Sequence, residues 1–240
     1  DLLDETALTA TGETLGAVID RTYRHWPQNV VRPRHEPIFA AAGLAVVRGN
    51  LAPDGAVIKQ SAAHPALLQH TGRAVVFDGL GDLAERIDRD DLDVVESDIL
   101  VLRYIGPKGA PGMPEAGLIP IPKKLARQGV KDMVRISDGR RSGTASGTIL
   151  LHVAPEAAIG GPLALVQNGD HISLDAAARR LELLVSDDEL ARRRAALQLP
   201  VTAPNRGYGK LFHDHVVQAP GGVDFDFLQG VDPADADEGA

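Results

Sequence analysis

Ser97-Asp98-Ile99-Leu100-Val101-Leu102-Arg103-Tyr104 runs into Gly106-Pro107-Lys108-Gly109-Ala110-Pro111-Gly112-Met113-Pro114-Glu115. The first stretch is a short continuous apolar run and reads as a buried strand. The second packs glycines, prolines and two charges into a loop that is neither helix nor plain strand. A loop of the same kind recurs at Ser137-Asp138-Gly139-Arg140-Arg141-Ser142-Gly143-Thr144-Ala145-Ser146-Gly147-Thr148. Such loops are costly in backbone entropy, and a chain that keeps two of them is holding polar groups in place for chemistry.

Outward from these loops the chain is β-rich. Short strands are predicted at 44–51, 56–59, 73–77, 133–136, 148–153, 163–166, 171–174 and 181–184. Asn168-Gly169-Asp170 reads as a tight hairpin turn between two of them. Helices are predicted over 4–26, stopped by Trp26-Pro27, over 81–89, and from Ser186-Asp187-Asp188-Glu189 through Arg194, where a cap precedes an acidic first turn. Residues 30–37 hold two prolines and read as an extended linker. The acidic stretch from Val231 to Ala240 reads as disordered. Many short strands with few helices predict an α+β fold around a closed or nearly closed β-barrel flanked by helices. The expected division is 1–37 as helix and linker from an upstream domain, 38–200 as the barrel domain, and 201–240 as a C-terminal extension.

Composition narrows the function. A net charge of −8 argues against nucleic acid as partner. No apolar run approaches the roughly 18 residues that cross a bilayer, so no membrane partner is expected. The absence of cysteine excludes disulfides, thiolate nucleophiles and cysteine-ligated clusters within this chain, and fits a cytoplasmic protein. A first residue other than Met suggests a fragment of a longer polypeptide.

The two loops, together with His152-Val153-Ala154-Pro155-Glu156-Ala157-Ala158-Ile159-Gly160-Gly161-Pro162-Leu163-Ala164-Leu165-Val166 and Asn168-Gly169-Asp170, resemble the C-terminal domain of the dihydroxy-acid and 6-phosphogluconate dehydratase family across roughly residues 40 to 195. The variant Ser142-Gly143-Thr144-Ala145-Ser146-Gly147-Thr148 resembles the pentonate (arabinonate or xylonate) branch, as do 207–215 and 222–228. The resemblance implies a swivelling β/β/α barrel of the aconitase kind. It implies elimination of water from a 2,3-dihydroxy sugar acid to give a 2-keto-3-deoxy acid. It further implies Mg²⁺ at the carboxylate with Glu115 as a ligand, Ser142 as the base for the C2 proton, and Thr144 bonding substrate or holding Ser142. The implied iron–sulfur cluster, [2Fe-2S] in type, would be held by an N-terminal cluster-binding domain that matches nothing here. The chain is therefore expected to be inactive alone, and part of a homo-oligomer when complete.

Other readings stay open. The substrate could be a branched-chain dihydroxy acid or 6-phosphogluconate, or the chain could be a non-catalytic remnant or binding module. Asp138 and Arg140 either pair or shape their loop, and Lys108 either steers an anion or is solvated. Pro155-Glu156 reads as ordinary capping at a helix start. His213-Asp214-His215 reads as a strand with both histidines on one face, in a structural or interface role rather than as a metal pair. Arg192-Arg193-Arg194 reads as a solvated helix face.

Overall fold

The structure is a computed structural model that describes residues 3–24, 26–38, 43–115, 117, 119–142, 146–200 and 203–229. Thr144 and the acidic stretch 231–240 lie outside the described residues. Two compact units part between Ala41 and Ala42. Among the described residues, no helix is long and apolar enough to cross a membrane.

In the first unit, helix α1 spans Leu15–Thr22, shorter than the 4–26 expected. Gly12 takes a positive φ of 79°, and Leu8 bridges Thr14, so the chain turns back before the helix starts. The Thr14 hydroxyl then caps it by accepting from the Ala17 N–H at 3.2 Å. Residues 30–37 are bent rather than extended, because the Gln28 side-chain carbonyl accepts from both the Val30 and Val31 N–H groups.

The second unit holds strands β1 (Leu44–Gly49), β2 (Ala52–Lys59), β3 (Gln69–Asp78), β4 (Ile99–Arg103), β5 (Arg135–Ser137), β6 (Ile149–Ala154), β7 (His171–Asp175) and β8 (Arg180–Leu183). They close into a barrel in the order β1-β2-β6-β5-β4-β3-β7-β8. Helix α2 (Gly79–Arg86) links the parallel neighbours β3 and β4, and α3 (Lys123–Arg127) lies in the β4–β5 connection. Helices α4 (Asp187–Ala196) and α5 (Gly207–His215) follow the barrel. The α+β barrel expected from the sequence is present.

β4 shows why its sequence is apolar without alternation. Successive side chains point to opposite faces. Ile99 and Val101 enter the barrel core beside Val47, Ile58 and Ile136. Leu100 and Leu102 enter a second core with Phe77, Leu83, Leu125 and Met133. Closure depends on a close approach. Any Cβ on Gly49 would run into the Leu181 carbonyl, while the Asn50 side chain exchanges two hydrogen bonds with the Leu183 backbone (2.9 and 2.7 Å).

Several sequence expectations are corrected. Residues 163–166 are not a strand: Pro162 opens a 3-10 turn, Pro162–Leu165, whose apolar residues are buried by tertiary packing. Asn168-Gly169-Asp170 is thus a turn but not a hairpin. It docks on β3, where Asn168 accepts from the Val76 N–H (2.7 Å) and Asp170 accepts from the Ala74 N–H (2.7 Å). His213 and His215 lie on helix α5, two residues apart and so on different faces. Arg193 is not solvated. Its side chain is 10% exposed, pairs with Asp170 at 2.5 Å, and also donates to the Leu165 carbonyl at 3.0 Å. It pins α4 to that turn.

Removing one partner of a buried ion pair costs roughly 3–5 kcal/mol, whereas exposed charges change stability little. Arg193→Ala is therefore expected to lower the urea unfolding free energy by about 3 kcal/mol. Arg192→Ala, at a side chain 68% exposed, should leave the urea midpoint nearly unchanged. Equal effects would disprove the pinning role.

Candidate active site

The two glycine-rich loops leave the same end of adjacent parallel strands, β4 and β5. Beyond the ends of these paired strands, loop amides have to be satisfied by something other than the sheet. Two buried carboxylates do this. Asp138, directly after β5, accepts from the Tyr104 and Ile105 N–H groups (both 3.1 Å) and from Ala157 N–H (3.0 Å). Glu156, just after β6, accepts from Lys108 N–H (2.8 Å), Gly109 N–H (2.9 Å) and the Gln218 side-chain amide (2.6 Å). Each residue is 1% exposed. Gly106 has to be glycine here, since a Cβ would sit 2.6 Å from the Glu156 carboxylate.

Of the two alternatives for Asp138 and Arg140, loop shaping holds for Asp138. Arg140 turns the other way, donating from Nε to the Met113 carbonyl at 2.6 Å and meeting the Glu115 carboxylate at 3.3 Å. The Pro155-Glu156 reading is corrected. The Glu156 side chain makes no cap on the turn that follows it and instead cradles the first loop. The Lys108 backbone is fixed by Glu156. Loop two ends at Asp132, whose carboxylate accepts from Thr148 N–H (2.9 Å), Thr148 hydroxyl (2.7 Å) and the Arg135 guanidinium (2.8 Å).

Ser142 lies on the wall of a cavity of about 180 Å³, with Lys59, Arg141 and His152 as its other polar lining and Val57 and Ile149 among the apolar. A second cavity of about 410 Å³ shares Val57 and His152 with it. His152 takes a left-handed φ of 55°, and its Nδ1 is buried without a partner. Burial, then the Arg140 charge, holds its pKa below the ordinary histidine value, so the ring is neutral near pH 7. Arg141 donates to the Ser146 carbonyl at 2.8 Å, but its Nε is buried without a partner. Burial and the Arg135 charge lower its pKa, yet a guanidinium stays charged.

The structure therefore gathers Ser142 with two cations and a neutral imidazole. Glu115 does not line this cavity and is tied to it through Arg140. Its side chain is 50% exposed, a hard oxygen donor open to solvent. Mg²⁺ sites commonly draw one or two carboxylates plus substrate oxygens and water. Glu115 fits one such position once it leaves Arg140. Among the described residues, no group of three or more metal-ligating side chains converges. A cysteine-bound cluster fits no residue of a chain without cysteine.

Sequence reasoning singled out Ser142 and Glu115 but missed Glu156 as a loop anchor, Asp132 as a clamp, and Arg141 and His152 as cavity wall. The available signal was a run of glycine-flanked amides needing an acceptor. The acceptor lies 48 residues further along the chain from Lys108.

A family model described as dihydroxy-acid/6-phosphogluconate dehydratase C-terminal matches residues 29–223. The chain is 58% identical to a putative dehydratase, IlvD1, of Rhizobium meliloti over 84% of this chain and 35% of that protein. It is 50% identical to an L-arabinonate dehydratase of Rhizobium leguminosarum over 95% of this chain and 39% of that protein. It is 52% identical to a 6-deoxy-6-sulfo-D-gluconate dehydratase of Pseudomonas putida over 85% of this chain and 36% of that protein. The chain spans little more than a third of the length of these relatives.

Burial pushes the Asp138 carboxyl up to about 6, Glu156's charge adds to this, and the three N–H bonds only partly offset it. Its folded pKa thus lies above the ordinary 3.8 of an unfolded aspartate. The folded chain keeps a proton that the unfolded chain has released between about pH 4 and 6, so this group's contribution falls as pH rises through that window and is level above it. In urea melts from pH 4 to 7, the stability of wild type minus that of Asp138→Asn should fall by roughly 3 kcal/mol over that window. A difference that does not change with pH would show that Asp138 titrates elsewhere.

Proposed function

Because the chain belongs to the dihydroxy-acid/6-phosphogluconate dehydratase family, we propose that it supplies the C-terminal share of an active site that dehydrates a 2,3-dihydroxy sugar acid to a 2-keto-3-deoxy acid. The observation that carries this reading is the position of Ser142, within the second glycine-rich loop and on a cavity wall with Lys59, Arg141 and His152. The names of the relatives, L-arabinonate dehydratase and 6-deoxy-6-sulfo-D-gluconate dehydratase, favour a polyhydroxylated acid over a branched-chain one. The Lys59, Arg141 and His152 side chains on an otherwise largely apolar wall offer partners to its oxygens.

Ser142 takes the proton from C2. A serine hydroxyl is far too weak a base unless its alkoxide is stabilised. Two cationic side chains on the same wall, with no acidic one among its described residues, lower that cost. His152, neutral, adds no competing charge and leaves a ring nitrogen for a substrate hydroxyl. Glu115 would be one of the ligands of a divalent metal, which would supply neutralising charge at the substrate carboxylate. Glu115 and Ser142 are held in register because Arg140, two residues before the base, grips both Glu115 and the Met113 carbonyl. Thr144 is assigned to bonding substrate or steadying Ser142. No residue of this chain is assigned to the departing C3 hydroxide. That task goes to a cluster-binding N-terminal domain, and the chain alone is inactive on this reading.

The test mixes the chain with the cluster-loaded N-terminal domain of an L-arabinonate dehydratase and Mg²⁺, following 2-keto-3-deoxy acid from arabinonate and xylonate. Product is expected only with both halves. Ser142→Ala should lower kcat by at least roughly 1,000-fold with cluster absorbance intact. Glu115→Gln should raise the Mg²⁺ concentration needed. Turnover near wild type for Ser142→Ala would remove the base assignment.

A further inference from the structure

Gln218 lies in the segment that follows the barrel, 62 residues beyond Glu156, and the two residues are joined twice. The Gln218 side-chain carbonyl accepts from the Glu156 backbone N–H at 3.0 Å, and its amide donates to the Glu156 carboxylate at 2.6 Å. A side-chain amide both accepts and donates, so one orientation meets both demands. Nothing local asks for that side chain. Gln218 precedes the 3-10 turn Ala219–Gly221 and makes no side-chain cap on it. Its backbone is held from the other side: Val216 is buried and bridges Phe225, and the Val217 N–H donates to the Asp224 carbonyl at 2.9 Å. Beyond Glu156 the connection continues. The Glu156 carboxylate, which pairs with no Lys or Arg among the described residues, holds the Lys108 and Gly109 N–H groups. From there the first loop folds on itself, with the Ala110 N–H donating to the Gly106 carbonyl and the Met113 N–H to the Ala110 carbonyl, both at 2.9 Å. A Cβ on Gly109 would sit 2.6 Å from the Tyr104 backbone, so this part of the loop has little room to shift. The Met113 carbonyl then meets Arg140, and Arg140 meets Glu115.

Resting on the reading of Glu115 as a metal ligand, we propose that Gln218 is a positioning residue for the site: through Glu156 it sets the first loop, and with it the Glu115 carboxylate. The segment after the barrel is then a working part of the site. It also supplies Ala219, Pro220, Gly222 and Val223 to the wall of the cavity of about 410 Å³ that shares His152 with the Ser142 cavity. A clip of this kind acts on where the metal ligand stands and leaves the base alone. Its loss therefore weakens metal binding without slowing turnover once metal is saturating, a split that a general stabilising role does not produce.

The test compares Gln218→Met, Gln218→Glu and Gln229→Met with wild type. Gln218→Met is of similar length and loses both bonds. Gln218→Glu can still accept from the Glu156 N–H but sets one carboxylate against another. Gln229, on the same segment, donates to the Gly221 carbonyl at 3.2 Å and serves as the control. Amide hydrogen exchange is measured first, on the ¹⁵N-labelled 240-residue chain without metal. In Gln218→Met the Lys108 and Gly109 amides should exchange roughly 10-fold faster relative to those of Val101 and Ile136 in the barrel. Gln218→Glu should release them further, and Gln229→Met should not release them. In the two-part mixture, Gln218→Met should raise the Mg²⁺ concentration for half-maximal turnover roughly 10-fold and keep kcat at saturating Mg²⁺ within about 2-fold of wild type. Equal acceleration of loop and barrel amides, equal release by Gln229→Met, or an unchanged Mg²⁺ requirement in an active mixture would each overturn the positioning role. Selective release of Lys108 and Gly109 alongside a wild-type mixture that makes no product would sink the dehydratase reading alone.

Discussion

Two buried carboxylates hold this site together, and they do so without a salt bridge. Asp138 and Glu156 spend their lone pairs on backbone N–H groups of the first glycine-rich loop, on Ala157 and on Gln218. Removing a carboxylate from water costs several kcal/mol, and backbone amides repay that only when several converge. The loop has amides to give, because the Lys108 and Gly109 N–H groups are not taken up by a sheet ladder and point at the Glu156 carboxylate. The debt is thus mutual: the loop is ordered because the carboxylates are buried, and the carboxylates tolerate burial because the loop is there. The raised pKa of Asp138 shows that the balance is close, with burial outweighing three N–H bonds.

From that anchor the electrostatics of the cavity follow. β5 ends at Ser137 and the second loop leaves from Asp138. With Asp138 fixed, Gly139 meets β6, its carbonyl accepting from the His152 N–H at 3.1 Å. Arg140 is then committed to the first loop and Arg141 to the cavity. A chain with excess negative charge thereby concentrates positive charge at one wall. Such local charge outweighs the global sum, because the Debye length is only about 8 Å at physiological salt.

The barrel was legible in the sequence because burial alone writes strands into apolar runs, and β3, β4, β6 and β7 lie where those runs lie. Helix α4 was legible for a local reason, since Ser186 caps it and its first turn is acidic. Three of the failures have one cause. Leu163 to Val166 are apolar because they are buried, not because they are extended. Arg193 looks like a surface residue until Asp170 is placed opposite. Glu156 looks like a cap until Lys108 and Gly109 are brought to it. Each partner lies far away in sequence, and periodicity carries no information about distant partners. The glycine loops themselves stood out because their composition is hard to explain without a site, while the acceptors that position them did not.

The same division explains where the backbone is strained. Among the described non-glycine residues, Tyr104, Met113, His152, Arg179 and Val223 have positive φ. The first three belong to the loops or to the β6 position that faces them. A left-handed side-chain-bearing residue costs roughly 1–3 kcal/mol and persists only where its surroundings over-determine it. Here they do. Tyr104 is held by the Asp138 carboxylate, Met113 by the Ala110 carbonyl and Arg140, and His152 by the Gly139 carbonyl. The barrel can carry that load because β3 and β4 pack on two cores at once, one inside the wall and one between the wall and α2 and α3. A sheet with only one covered face would leave β4 free to shift, and the first loop would relax into unstrained turns. The second core is therefore a condition for the site's geometry as well as for stability.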